Sequence, residues 1–228
     1  MARHTAIAEV GETLVGLLRD QLGPLVSNDD EVALASPESV DAGDEIRLTL
    51  YLYRVTENGE LRNQRHETPA NGHGSVRPAP LALDLYYLLT AHPSVGTGDE
   101  TDRTRTQHLV LGRAVQVLAE NAVLRATDLY PTSLAEDREL HLSVYPEPME
   151  EVTSIWNTFP DKPFEPSVAY VVGPVLVDAT GDEPVDRVEA VERRYRSYDL
   201  APGDARPVGD AGADGDAGGA GDANGGGP

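Results

Sequence analysis

Two stretches of this chain are apolar on both sides at once. In "PLALDLYYLLTAHP", Pro80 to Pro93, alternation sends Leu81, Leu83, Leu85, Tyr87 and Leu89 one way and Ala82, Asp84, Tyr86, Leu88 and Thr90 the other. In "DEIRLTLYLYRVTENGELRNQ", Ile46, Leu48, Leu50 and Leu52 line one face, Tyr51, Tyr53 and Val55 the other, and Asn58-Gly59 ends the strand in a turn. A strand with one wet face alternates apolar with polar, whereas a strand covered on both sides needs apolar residues on both. The rest of the chain must therefore supply layers for two faces of a sheet.

Helices suited to that task are readable. Ile7, Val10, Leu14, Leu17, Leu18 and Leu22 recur at helical spacing before a Gly23-Pro24 stop, with Glu9, Arg19 and Asp20 expected in water. "GTGDETDRTRTQHLVLGRAVQVLAENAVL" reads as a polar loop running into a helix with apolar positions at Leu109, Val110, Ala114, Val117, Leu118 and Ala119. Val152, Ile155, Trp156 and Phe159 stand at i, i+3, i+4 and i+7 in a short helix opened by Pro148, with Glu150 and Glu151 in its first turn. Further strands are "EVALAS", short; "RELHLSV", alternating through Leu140, Leu142 and Val144; and "PSVAYVVGPVLVD". Residues 67–80, rich in Pro, Gly and Asn, read as a loop. The expected fold class is α/β (α+β): one domain, a mixed β-sheet with helices packed on its faces. From Ala201 onward Gly, Ala and Asp dominate and offer no core, so the expected division is a domain over 1–200 and a disordered acidic tail over 201–228.

The charge narrows the partners. Thirty-nine acidic residues face 18 basic ones, a net of −21, and of the 18 only Lys162 is a lysine. That balance argues against a nucleic-acid or anionic-membrane partner, both of which need clustered positive charge. In molar salt the Debye length shrinks to roughly 3 Å and such self-repulsion largely disappears. An acid-rich, lysine-poor, Asp- and Ala-rich chain is therefore read as adapted to halophilic cytoplasm. Met1 to Thr13 interrupts its apolar positions with Glu9 and Glu12, unlike a signal peptide, and no stretch reaches the length of a membrane span, so the expected location is cytoplasmic. With no cysteine, thiol chemistry and thiolate metal sites are excluded.

Catalytic signatures are missing: there is no phosphate-binding G-x-x-x-x-G-K-[ST], no G-x-S-x-G elbow and no H-E-x-x-H. His73 lies in "NGHGS", which reads as a flexible turn because no helix follows; His4, His66 and His141 are isolated. His92 and His108 flank one polar loop with Asp99 and Asp102, and a metal-dependent hydrolase built on them is kept as the competing class. The expectation is no catalytic residue, no metal and no cofactor. Asp84 is the polar residue that strand patterning leaves unexplained: either a partner for a buried arginine or an edge charge that blocks nonspecific pairing. Trp156 reads as the core anchor of its helix or as an interface residue.

The order "IRLTLYLYRVTENGELRNQ", "PAPLALDLYYLLTAHP", "LGRAVQVLAEN", "LHLSV", "IWNTF", "PSVAYVV" resembles the cap or tail-terminator family of contractile injection systems, phage-tail-like particles of the antifeeding-prophage and Photorhabdus-virulence-cassette type. "LYLYRV" followed by "LRN", "LDLYYLLT" and the final "SVAYVV" are its most specific pieces. The resemblance implies a structural subunit without catalysis, assembling as a hexameric ring on the end of the inner tube and sheath and ending their growth. Its partners would be copies of itself, the tube protein and the sheath protein, with release of the particle from the cell. Another adaptor of the same particle, near the baseplate, is the alternative. Under this reading Tyr51, Tyr53, Tyr86, Tyr87 and Trp156 are candidates for subunit contacts, where aromatic residues give area with a polar handle. Arg187, Arg193, Arg194 and Arg196, an island of positive charge, are candidates for docking on an acidic partner. The acidity and the Gly/Asp tail depart from the family's bacterial members and imply a haloarchaeal one.

Overall fold

The computed structural model describes residues 4–41, 43–62, 75–76, 80–95, 98–125, 139–178 and 183–184. All of them belong to a compact unit spanning Met1–Asp186. Arg187, Arg193, Arg194, Arg196 and the 201–228 tail lie outside the described residues, as do His66 and His73.

The two doubly apolar stretches form adjacent antiparallel strands, β2 (Leu48–Glu57) and β4 (Leu81–Ala91). Beside them run β7 (Ser167–Val177), then β6 (Glu139–Val144) and β5 (Val123–Arg125). With β1 (Val32–Ala33) parallel to β2 at the far edge, the order is β1-β2-β4-β7-β6-β5, a mixed six-stranded sheet. The central pair, β4 and β7, is the longest, and the two edges are only two and three residues long, which limits the unpaired backbone offered to other chains. A separate antiparallel pair joins β3 (Ser75–Val76) to β8 (Glu183–Pro184).

Helices α1 (Ala6–Gln21) and α2 (Glu100–Glu120) pack on each other and on one face of the sheet. Val10, Leu14 and Leu18 of α1 and Val110, Ala114 and Val117 of α2 meet Leu48, Leu50, Leu85, Leu89, Leu142 and Val172, which form the main core. On the opposite face α3 (Met149–Trp156) sets Trp156, with Phe159 just beyond the helix, against Leu88 of β4 and the rings of Tyr51 and Tyr53. Both faces are thus covered, as the strand pattern requires, and the single-domain α+β class holds.

Several local expectations are corrected. The strand in "EVALAS" shrinks to Val32–Ala33, because Asp29–Glu31 forms a 3₁₀ turn in which Glu31 Oε1 accepts from the Ser27 and Asn28 amides at 2.9 and 3.0 Å. Glu9, expected in water, is buried: it neighbours Val10 and lies one turn before Thr13, whose hydroxyl donates to the Glu9 carbonyl at 2.7 Å. Arg19 stays at the surface but donates from Nε and Nη2 to the Val32 carbonyl, tying α1 to β1. The polar run read as loop already belongs to α2 from Glu100, where Asp99 caps the helix by accepting from the Asp102 amide at 2.8 Å. Its Leu109 is exposed and its pattern breaks at Asn121, after which the chain extends as β5. The 67–80 segment, read as loop throughout, contributes β3.

Candidate functional site

A β-bulge organises the face that carries α3. Pairing runs Tyr51 with Leu88 and Leu52 with Tyr87, then skips to Arg54 with Tyr86, so Tyr53 is the extra residue. The bulge brings Tyr53 and Arg54 to the same side and moves Val55 opposite Leu85, away from the tyrosine face where simple alternation puts it. The Arg54 guanidinium centre then lies 4.0 Å from the Tyr86 ring centroid, 5.3 Å from that of Tyr145 and 5.7 Å from that of Tyr53. Tyr86 meets Tyr145 edge-on at 5.0 Å and Tyr53 at 6.2 Å.

Beneath the cation lies Glu147, its side chain only 3% exposed, with Oε1 3.5 Å from Arg54 Nη2. The Tyr53 hydroxyl donates to the same oxygen at 3.2 Å. Burial, then the Glu147 charge, pushes the Tyr53 phenol well above its ordinary range, so it stays a donor. Burial works against the Arg54 charge, but hydrogen bonding to Tyr145 and the charge of Glu147 outweigh it and raise the guanidinium pKa. The cluster is an anchored cation with an aromatic rim.

Next to it α3 builds a second aromatic group. Trp156 meets Phe159 edge-on at 5.8 Å and Phe164 at 5.3 Å, and Phe159 meets Tyr51 at 5.8 Å. Phe164 and Met149 are 53% and 68% exposed, so apolar area continues outward from this group. Trp156 also lines a cleft of about 270 Å³ with Val40, Ile46, Pro93, Val95 and Pro163. Among the described residues the buried indole Nε1–H has no acceptor, and neither has the buried Nε of Arg103 on the same cleft.

The candidates named from sequence divide accordingly. Tyr53 and Tyr86 form one group around Arg54, a residue not among those candidates; Tyr51 and Trp156 belong to the neighbouring one. Tyr87 is corrected: it is 1% exposed in the main core, its hydroxyl 3.4 Å from where a side chain on Gly11 of α1 would begin, and it offers no area to another subunit. Asp84 sits on a central strand, not an edge, and its partner is not arginine: Asn58 Nδ2 donates to both carboxylate oxygens at 2.9 and 3.1 Å. His92 is buried against the Thr49 hydroxyl at 3.0 Å, while His108 is exposed on the outer side of α2. Among the described residues no group of three or more His, Asp or Glu side chains converges as a metal site. The Arg54 box and the cleft escaped the sequence reading; the one signal available was Arg54 itself, a cation inside "LYLYRV".

The model of the Pvc16 N-terminal domain family matches residues 9–190. Two solved structures share the fold. One is the sheath/tube terminator, in its extended state, of the extracellular contractile injection system PVC. It is 17% identical with a TM-score of 0.54, over 88% of this chain and 67% of that one. The other is the tube-terminating cap of the anti-feeding prophage, 17% identical with a TM-score of 0.52, over 82% of this chain and 60% of that one. The chain therefore spans about two thirds or less of the length of these proteins. No curated protein matches.

Proposed function

The chain belongs to the Pvc16 N-terminal domain family, and from that membership we propose that it is the structural cap, or tail terminator, of a contractile injection system. In this reading identical subunits close into a hexameric ring on the last layer of the inner tube and sheath and end their growth. The observation that carries it is the shared fold with a sheath/tube terminator over 88% of the chain. A ring of identical subunits needs two different, mutually fitting patches per subunit. The aromatic face of Tyr53 and Tyr86, with exposed Phe164 and Met149 seated around the buried Trp156, is suited to be one of them.

The role is mechanical, without catalysis, cofactor or nucleic acid. The net charge of −21 with a single lysine supports a haloarchaeal member made in salt-rich cytoplasm and carried within the particle. No described helix is long and apolar enough to cross a membrane. The assembling domain covers residues 1–200, and 201–228 is a solvating tail.

The test is reconstitution. The tube subunit of the same particle is polymerised in multimolar KCl with and without this chain, and tube lengths and end density are read by electron microscopy. Shorter, uniformly capped tubes are expected. Tubes of unchanged length with bare ends reject the reading; in whole particles carrying a tagged copy of the chain, label found only at the baseplate end transfers it to the adaptor role.

A further inference from the structure

Asn58, the residue after β2, ties that strand's end to β4. Its backbone amide donates to the Ala82 carbonyl at 2.8 Å, and its Nδ2 donates to both carboxylate oxygens of Asp84 at 2.9 and 3.1 Å. Its Oδ1 accepts from the Glu60 and Leu61 amides at 3.1 and 3.0 Å, so both ends of the side-chain amide are held. The next residue, Gly59, is exposed, stays out of the left-handed conformation and has open space where a side chain would stand. The fold makes no demand for glycine at this position, yet glycine sets the chemistry of the residue before it.

An asparagine followed by glycine is chemically labile, because no side chain shields the next backbone nitrogen. That nitrogen, having lost its proton, attacks Asn58 Cγ. The new C–N bond closes a five-membered imide, the Cγ–Nδ2 bond breaks, and Nδ2 leaves as ammonia with the proton. Water then opens the imide at either carbonyl and leaves a carboxylate, on aspartate or on isoaspartate. We propose that Asn58 is a deamidation site closed by the native fold and opened by its loss, so that a chain held unfolded for long does not regain the native state at neutral pH. Attack requires the side chain to swing its Cγ onto the Gly59 nitrogen, and that motion gives up the hydrogen bonds to Asp84, Glu60 and Leu61 together. The product does not fit the place it leaves. An aspartate at 58 sets an oxygen where Nδ2 stands, 2.9 Å from Asp84 Oδ1, and two carboxylates sharing one site cannot both stay ionised without cost. Isoaspartate instead adds a methylene to the backbone of the turn. The inference is independent of the chain's role in a particle.

Cleavage after Arg54 and Arg62 isolates residues 55–62, "VTENGELR", in which Asn58 is the one asparagine. The chain is incubated in multimolar KCl with and without denaturing urea, and mass spectrometry of this peptide reads conversion of amide to acid. Conversion in urea is expected to match that of the free peptide, and without urea to be slower by about tenfold or more, since only locally opened molecules react. Equal rates in the two samples, or no conversion in urea, overturn the proposal. Gly59→Ala, whose added carbon meets nothing within 4 Å, is expected to slow conversion in urea while leaving the urea midpoint of fresh protein unchanged. Conversion at the parent rate in that variant rejects the imide route. Asn58→Asp, the product made directly, is expected to lower the urea midpoint at neutral pH or to prevent folding. Combining it with Asp84→Asn exchanges the two groups and is expected to recover much of the loss. An Asn58→Asp protein as stable as the parent refutes the barrier to refolding, and a double variant no better than Asn58→Asp refutes the charge clash as its cause.

Discussion

Asp84 of β4 occupies the space that a side chain on Gly173 of β7 would fill. A Cβ built at 173 falls onto the Asp84 carboxylate, with Asp84 Cγ and the Leu83 carbonyl oxygen each at 3.3 Å. The carboxylate cannot simply swing aside, because Asn58 Nδ2 holds both its oxygens. Asn58 in turn accepts from the Glu60 and Leu61 amides and shapes the turn after β2. Gly173→Ala is therefore expected to destabilise by about 1–3 kcal/mol, the usual cost of overpacking. In a background of Asp84→Ala the same change is expected to cost less, since only the Leu83 carbonyl remains in the way. Denaturant unfolding of the four proteins measures the coupling, and strict additivity contradicts the contact.

His92 makes the fold sensitive to acid. Burial, with the nearby Lys162 charge, holds its pKa down to about 4, against an ordinary 6.5. In the folded protein it is thus neutral at pH 5–6, where the unfolded chain already binds the proton. Because the unfolded state takes up more protons, stability rises with pH in this window. The contribution is complete above about pH 6.5 and is lost as pH falls from there toward 4. The whole excursion is on the order of 3 kcal/mol, at about 1.4 kcal/mol per unit. His92→Gln keeps a polar group for Thr49 but cannot titrate. It is expected to flatten the difference in urea midpoint between pH 7 and 4.5 relative to the parent chain, and equal pH slopes for both would refute the assignment.

Glu147 depends on Arg54. With its carboxylate 3% exposed, removing the guanidinium leaves a buried negative charge held by the Tyr53 hydroxyl. Breaking a fully buried pair costs about 3–5 kcal/mol, but Arg54 is itself 35% exposed, so solvent screening reduces the expected loss for Arg54→Ala to about 1–3 kcal/mol. Arg54→Lys keeps the charge but loses the flat stacking on Tyr86 at 4.0 Å and is expected to recover only part. Adding Glu147→Gln to Arg54→Ala removes the stranded charge and is expected to restore stability. A double variant weaker than Arg54→Ala alone defeats the argument.

The legible parts of this molecule are those in which one physical demand is written along contiguous sequence. β2 and β4 declare their double coverage in their own residues, and α3 declares its buried stripe through Val152, Ile155, Trp156 and Phe159. β5 is unreadable because three residues have no periodicity, and β1 is legible only as the longer stretch "EVALAS"; both exist through pairing with β6 and β2. The start of α2 had a readable signal, Asp99 three residues before Asp102, which the density of polar residues in "DETDRTRT" obscured. The site was harder still. Arg54, Tyr86 and Tyr145 come from three separated parts of the chain and converge only because a bulge at Tyr53 turns Arg54 onto the tyrosine face. Tyr87 differs from Tyr86 by one position and hence by one face of the sheet, which is why one packs under α1 and the other joins the cation.

Salt is expected to decide whether the chain folds at all. A net charge of −21 over 228 residues stores self-repulsion that each ordered element must overcome. The repulsion is local as well as global: Asp29 and Asp30 are adjacent and exposed, and Asp99, Glu100 and Asp102 crowd the exposed start of α2, where the helix dipole offsets only part of it. At 0.1 M salt the Debye length is about 10 Å, long enough for such groups to sense one another, and near 1 M it falls to about 3 Å. Dialysis from multimolar KCl into dilute buffer is therefore expected to abolish the cooperative thermal transition, and return of KCl to restore it. Magnesium chloride at equal ionic strength is expected to act at least as well, since screening rather than a potassium site is responsible. A melting temperature that stays constant between 0.1 M and 2 M KCl, conditions chosen to span those two screening lengths, is incompatible with a charge pattern shaped by saline solvent.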